Sequence, residues 1–591
     1  MASQLPAHLP AYRRQELAVV VLLTVLCLAL PTRNPSGDAW YYAACARWGH
    51  ELAQPHHLLY NYAGWWWLQL WGATGAAPAG LAALPWLQAL NSLALGGCLL
   101  ALAPLLHRAG ARPTAVPAWL LLVGSSFGML RFAVENEAYI QPLLLALLAS
   151  LAWARAIAAL PLLVGAAESA AGFRAAEQPE FFSPTTQFQS ASREHRTVGY
   201  LLLAGSLAAL ACLLHQMLVW WWLGLLLGLQ PWRPGAARRW ALTYAAPAAL
   251  VPLAYWLAAP PGGGLPGLLR FALHDYLTGG ARVELSWRSL FLTPIGLVRT
   301  LGQVHGNLLL LWQRWPLPLS LVALGCLALG VYGGLALRAA HHRAVELPTG
   351  TAEVAQLPAL TTSRPPAAAR RIQRTHLLIF GLQLAFAAQA AGNAEFMVML
   401  PALAAAAGAG SWLRRWPGRG VAALGAALLA WNLAFGLLPA HALSYATAGP
   451  ALRARVQQQP GAWFLLLDPN LLRNQLHYYT GQAVAPPRVL GLVEPAAPGF
   501  RRWLQQRLTA GDTVYTDALG GPRPLDRARL TQGDPAATLL AGLPARRVLV
   551  LPTFFGPGYL SRLALPAGFG AQRAAQPKAS ASATVNTGAA R

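Results

Sequence analysis

Apolar runs of 13 to 23 residues, broken by short polar connections, fill the first 440 positions of the chain. They lie near 17–31, 84–106, 115–131, 142–160, 199–214, 218–230, 241–259, 317–338, 376–391, 397–412 and 419–438. Most approach the roughly 20 apolar residues that cross a bilayer as one helix. The pattern predicts about eleven transmembrane helices. The count treats 199–230 as two short spans around His215; one long span there would invert every later connection. Beyond residue 440 the pattern changes. "WFLLLD" (463–468), "RVLGLV", "TVYTDA" and "RRVLVLPTFF" read as strands, with helical "PNLLRNQLHYYTG" and "FRRWLQQRL" between them. Alternating strands and helices suggest a small α/β domain with a parallel sheet. The chain therefore reads as an α-helical polytopic membrane protein over 1–440, an extracytoplasmic α/β domain over 441–575, and a disordered tail over 576–591.

Composition agrees. The chain is 56% hydrophobic and 11% charged, where soluble domains carry about one quarter charged residues. Its net charge of +24 invites a nucleic-acid reading, which the distribution argues against. Pairs such as Arg13-Arg14, Arg238-Arg239, Arg370-Arg371 and Arg414-Arg415 sit in short connections beside apolar runs. Arginines there set topology and meet anionic membrane lipids. The bias puts the N-terminus in the cytoplasm and everything after about residue 440 outside it. Arginine in place of lysine and abundant alanine suggest a GC-rich bacterial gene, and hence an inner membrane. Two stretches, 166–196 and 343–371, are rich in Ala, Ser, Thr, Pro and Glu and read as disordered loops. The five cysteines form no CxxC pair, so neither a disulfide framework nor a zinc site is expected. Arg13-Arg14 ahead of an apolar run resembles a signal peptide, but no small-x-small cleavage site follows, and the run reads as a retained first span. No GxGxxG or GxxxxGK[ST] supports nucleotide binding.

Only twenty residues are acidic, so their positions carry information. Asp38, Glu51, Glu135, Glu137, Asp275, Glu284 and Glu395 all fall on the outer side of this topology, at span ends. Carboxylates at membrane level are costly and usually functional. Asp38, in "NPSGDAWYY", can act in a site or merely cap the helix that follows. Glu135 and Glu137 diverge on a helix but can converge on a loop, to bind a metal, share a proton, or simply be solvated. "PHHLLYNYAGWWWLQLWG" reads as an aromatic interfacial segment, with His56, His57 and Tyr60 as candidate contacts for a substrate. His215, between two apolar runs, is a packing residue or a ligand-binding one. Arg282 and Arg288 can grip a phosphate or snorkel to headgroups. Glu395, in "GNAEFMVMLP", belongs to an ordinary loop or to the far wall of the same site.

These segments together resemble the GT-C superfamily of membrane glycosyltransferases, particularly relatives of the protein O-mannosyltransferases and aminoarabinose transferases. "QPHHLLYNY" stands where relatives carry an "HPPGYPLY"-like stretch, "VENEAY" is similar to a "VEVYA"-type stretch, and "LLHQMLVWWW" and "GNAEFMVMLP" resemble a His-containing hairpin and a late acidic span. The resemblance covers about residues 10–440. It implies a polyprenyl-phosphate-linked sugar donor, a glycan, lipid or protein acceptor, Asp38 as base or metal-binding residue, and a divalent metal ion as a cofactor some members use. The chain departs from the pattern in lacking an Asp-Glu pair at Asp38 and in placing His56-His57 where a Pro-rich centre is usual. Two other classes compete: a transporter or flippase of a lipid-linked saccharide, and a non-catalytic assembly protein on the same scaffold. The topology makes a direct prediction. A reporter fused after residue 445 reports from outside the cytoplasm; a cytoplasmic signal would shift the span count by one.

Overall fold

The computed structural model describes residues 11–73, 83–174, 184–232, 235–278, 286–304, 308–346, 366–411, 413–482, 488–492, 499–519 and 539–566. The chain divides into two compact units, Met1–Leu443 and Ser444–Arg591.

The first unit is helical. Its opening helices are α1 (Ala11–Ala29), α2 (Gly37–Trp48), α3 (Tyr60–Ala73), α4 (Ala83–Arg108), α5 (Val116–Gly124), α6 (Phe127–Ala133), α7 (Ile140–Arg174) and α8 (Pro184–Leu214). There follow α9 (Val219–Gly228), α10 (Ala236–Ala245), α11 (Leu250–Ala258), α12 (Gly264–Ala272), α13 (His274–Thr278), α14 (Trp287–Leu301), α15 (Leu308–Arg314) and α16 (Pro316–Glu346). The unit ends with α17 (Ala367–Gln389), α18 (Leu400–Gly408), α19 (Gly418–Asn432) and α20 (Leu438–Ala442).

Among the described residues, six helical segments are long and apolar enough to cross a membrane. These are Ala83–Arg108, Ile140–Ala159, Ser192–Leu214, Ala236–Ala258, Pro316–Ala340 and Gly418–Ala442. The segments Pro113–Gly124 and Phe127–Ala133 meet at 67° and together make a possible seventh. The other expected spans fall on helices of a different kind. Gln216–Gly228 and Ala394–Gly408 are apolar but short, and α1 and α17 carry arginines in their first turns. Among the described residues, six or seven segments thus qualify as crossings by length and composition. Of the stretch 166–196, expected to be disordered, residues 166–174 end α7 and 184–196 begin α8, while 175–183 lie outside the described residues. Most of the second expected loop lies outside the described residues.

One continuous core joins α1, α4, α5, α7, α8, α9, α17 and α18, with Leu23, Leu99, Leu120, Trp153, Trp221 and Leu403 fully or almost fully buried. In contrast Leu317, Leu321, Leu324 and Leu327 of α16 are exposed, the side chains a lipid-facing helix presents. Small residues let the helices approach closely, as they do in membrane bundles. At Gly205 of α8 an added Cβ would lie 2.1 Å from the Tyr244 carbonyl oxygen of α10.

The second unit holds a five-stranded sheet of β1 (Trp463–Leu466), β2 (Val489–Gly491), β3 (Val514–Thr516), β4 (Ala545–Thr553) and β5 (Gly556–Leu563), in the order β2-β1-β3-β5-β4. β1 runs parallel to β2 and β3, in register Phe464 with Val489 and Tyr515. The sheet is mixed rather than parallel throughout, because "RRVLVLPTFF" turns back on itself. Gly556, at φ 117°, closes a β4–β5 hairpin that pairs antiparallel with β3. Helices α21 (Pro450–Gln458), α22 (Pro469–Thr480) and α23 (Phe500–Thr509) complete the unit. Their apolar sides enter two small cores, around Phe464, Leu472 and Tyr515 and around Leu465, Phe500 and Leu504. The expected tail over 576–591 lies outside the described residues.

The close α8–α10 approach yields a test. Gly205→Val overpacks that contact at a cost of roughly 1–3 kcal/mol and lowers the temperature of thermal aggregation in detergent. Gly199→Val, whose Cβ meets open space, leaves that temperature nearly unchanged.

Candidate functional site

The polar segment that follows α1 folds against the loop between α6 and α7. Ser36, in extended conformation, caps α2: its hydroxyl oxygen accepts the Ala39 N–H at 2.9 Å. The C-terminal end closes on Gly49, whose φ of 69° suits glycine. The cap is therefore Ser36 and not Asp38, which lies exposed in the first turn. A carboxylate is favoured there by the positive end of the helix dipole.

Ser36 also binds both glutamates of "VENEAY". Its N–H donates to Glu135 Oε1 at 2.6 Å, and its hydroxyl donates to Glu137 Oε1. The loop conformation makes the two carboxylates converge, and both are buried, at 3% and 7% exposure. Arg131, one helical turn earlier, reaches Glu135 Oε2 at 3.5 Å and Glu395 Oε1 at 3.6 Å. The Tyr139 hydroxyl donates to Glu395 Oε2 at 3.4 Å. Three of the acids expected in one site thus meet through a shared arginine and a serine. Glu395 is positioned by its own short turn, where Asn393 Oδ1 accepts the Glu395 N–H at 3.1 Å.

Amides hold this loop in place. Asn91 of α4 donates to the carbonyls of Glu135 and Glu137 at 2.7 and 3.0 Å, and Gln141 donates to Asn91 Oδ1 at 2.9 Å. Asn136 donates to the Ala39 carbonyl of α2 at 2.9 Å and accepts the Tyr60 hydroxyl at 3.0 Å. Burial drives the Glu137 carboxyl well above the usual glutamate range, and Glu135 beside it adds to the shift. Glu135 is also raised by burial, against the opposing pull of Arg131 and the Ser36 N–H. Glu137 thus holds its proton more tightly than an exposed glutamate, while Glu135 has the cation.

Next to the acids stands a wall of imidazoles. The rings of His56 and His57 are 4.3 Å apart, and those of His57 and His215 are also 4.3 Å apart. The backbone brings them together: Leu59 N–H donates to the Leu213 carbonyl at 3.0 Å and Gln216 N–H to the His56 carbonyl at 3.1 Å. Tyr139, 5.2 Å from the His215 ring, links this wall to Glu395. The hydrogen-bond network assigns the tautomers. His57 Nδ1 lies 3.3 Å from the Leu214 carbonyl and must carry a proton to donate there. His215 Nδ1 accepts the Met217 N–H at 3.3 Å, so the neutral ring carries its proton on Nε2. That buried Nε2–H has no hydrogen-bond partner among the described residues. Burial, reinforced by His56, pushes the His215 pKa down to about 3, and burial with His215 alongside pushes His57 well below the usual range. Both rings are neutral near pH 7.

Two candidates are not brought in. Arg282 lies outside the described residues. Arg288 is exposed on the first turn of α14 and makes no ion pair among the described residues. Tyr60 is present but committed, its hydroxyl spent on Asn136. Nor do the residues fit a resident divalent ion. Among the described residues no three His, Cys, Asp or Glu side chains group to hold one, and the Glu135 oxygens are already engaged by Ser36 and Arg131. Sequence reasoning missed Ser36, Asn91, Arg131, Asn136 and Tyr139. Of these only Arg131 left a signal, its four-residue spacing to Glu135.

No family model matches the chain, and no curated protein does. Two crystal structures of ArnT from Cupriavidus metallidurans, one in the apo state and one bound to undecaprenyl phosphate, are similar to it. Each is 12% identical, with a TM-score of 0.33, and the match covers 93% of this chain and 98% and 97% of theirs, the bound structure first.

The raised Glu137 has a thermodynamic consequence. Above the ordinary carboxylate range the folded chain holds a proton that the unfolded chain has released, so stability falls as pH rises there. Glu137→Gln flattens this slope when thermal unfolding in detergent is followed from about pH 5 to pH 8. A slope identical to wild type would mean that Glu137 titrates normally.

Proposed function

We propose that the chain is a membrane glycosyltransferase that moves a sugar from a polyprenyl-phosphate donor to an acceptor at the extracytoplasmic face of a bacterial inner membrane. The observation that carries this reading is Asp38, an exposed carboxylate on a capped helix docked to buried acids at the ends of apolar spans. Asp38 takes the proton of the acceptor hydroxyl as that oxygen attacks the anomeric carbon. The bond from that carbon to the phosphate oxygen breaks, and polyprenyl phosphate leaves with the electron pair. Glu135 and Glu137 serve as positioning residues: through Ser36 they fix the start of α2 and hence Asp38. The His215 Nε2–H donates to a hydroxyl oxygen of the sugar, with His56 and His57 completing that wall. Glu395 shares Arg131 with Glu135 and borders the same space. Arg282 and Arg288 contact the donor phosphate, and the α/β unit lies on the extracytoplasmic side.

The test is Asp38→Asn in membranes supplied with a polyprenyl-phosphate-linked sugar. Transfer falls at least ~100-fold, the scale of losing a general base, while protein level and membrane insertion stay normal and the donor accumulates. Undiminished transfer would remove the base assignment. If cells lacking the chain show no change in any glycan or lipid-linked sugar pool, the enzyme reading fails as a whole.

A further inference from the structure

The acid cluster sits at the C-terminal end of α1 and the first half of α4. The opposite ends of the same two helices, roughly 25–30 Å away along α1, enclose a separate cavity of about 520 Å³. Its lining combines two kinds of side chain: Arg13 of α1 and Arg108 of α4, and the apolar Leu17, Val20 and Leu100. The cavity also contains one carboxylate, Glu16, which is buried and committed to His107 Nε2 at 2.7 Å. Neither Arg13 nor Arg108 has an ion-pair partner among the described residues. Arg155 is close enough to Arg108 to repel it, and its own contact is the face of Tyr200, 5.9 Å away. Two guanidiniums therefore line one cavity without an ion-pair partner among the described residues. Leu17 and Leu100 are about half exposed, continuing the apolar side of the cavity onto the surface of the helices.

We propose that this cavity binds one anionic phospholipid, with its phosphate between Arg13 and Arg108 and an acyl chain along Leu17, Val20 and Leu100. Basic pockets between transmembrane helices on the cytoplasmic side bind such headgroups, and guanidinium grips phosphate through paired hydrogen bonds. A lipid engages both the guanidiniums and the apolar lining, whereas a free phosphate leaves the apolar lining in water. The site is independent of the transfer reaction, so its test does not depend on that reading.

The experiment uses the full-length protein in detergent micelles. Bound species are counted by native mass spectrometry during titration with phosphatidylglycerol, with phosphatidylcholine of the same chains, or with inorganic phosphate. One phosphatidylglycerol is retained with an affinity at least tenfold above that of phosphatidylcholine. The double variant Arg13→Gln/Arg108→Gln weakens it roughly 25-fold, about fivefold per guanidinium, and Arg13→Lys/Arg108→Lys keeps most of the affinity. Equal retention of the two lipids, or undiminished phosphatidylglycerol binding by the Gln variant, overturns the proposal. Binding of inorganic phosphate as tight as that of the lipid overturns the lipid assignment in favour of a free-anion site. Should the Gln variant fail to fold, the comparison of lipids on the wild-type chain still decides.

Discussion

Two carboxylates buried side by side set the terms for this molecule. Taking Glu135 and Glu137 out of water is expensive, and the chain offsets that cost with donors drawn from distant parts of the sequence. Ser36 supplies two of them and Arg131 a third. Because Ser36 also caps α2, satisfying the acids and placing the first juxtamembrane helix are one event. The position of Asp38 follows from it.

The rest of the first unit keeps this arrangement rigid. Asn91 holds the loop carbonyls from α4, and Asn136 ties the loop to α2. Buried polar networks of this kind are stable only when every member is satisfied. Here nearly every member is, and the exceptions are informative. His215 carries a proton on a buried nitrogen with no hydrogen-bond partner among the described residues, and Tyr139 links its ring to Glu395.

Apolar run length made the helical architecture legible, because a bilayer dictates that length more strictly than any soluble core does. The expected spans fall on helical segments, some of them broken, as 115–131 is between α5 and α6. The number of crossings was less legible, since α9 and α18 are too short to be judged by length. In the α/β unit the strands could be read, but the final hairpin could not: nothing in the hydrophobic pattern of residues 545–563 distinguishes an antiparallel return from one long strand, and the turn depends on Gly556. At the site, scarcity of acid singled out Asp38, Glu135, Glu137 and Glu395. The pattern left open whether Asp38 caps α2, because Ser36 and Asp38 are both good capping residues and only the backbone selects between them. Asn91, forty-odd positions from the loop it holds, could not be found from sequence spacing at all.

The imidazole wall has a consequence for the setting in which the protein works. Histidine ordinarily makes a structure responsive to acid, because its charge changes near neutrality. Here His215 has been moved to about 3, and His57 is displaced the same way. Their donors and acceptors therefore keep one pattern from mildly acidic to alkaline surroundings. Across that range the same His215 nitrogen presents the same proton.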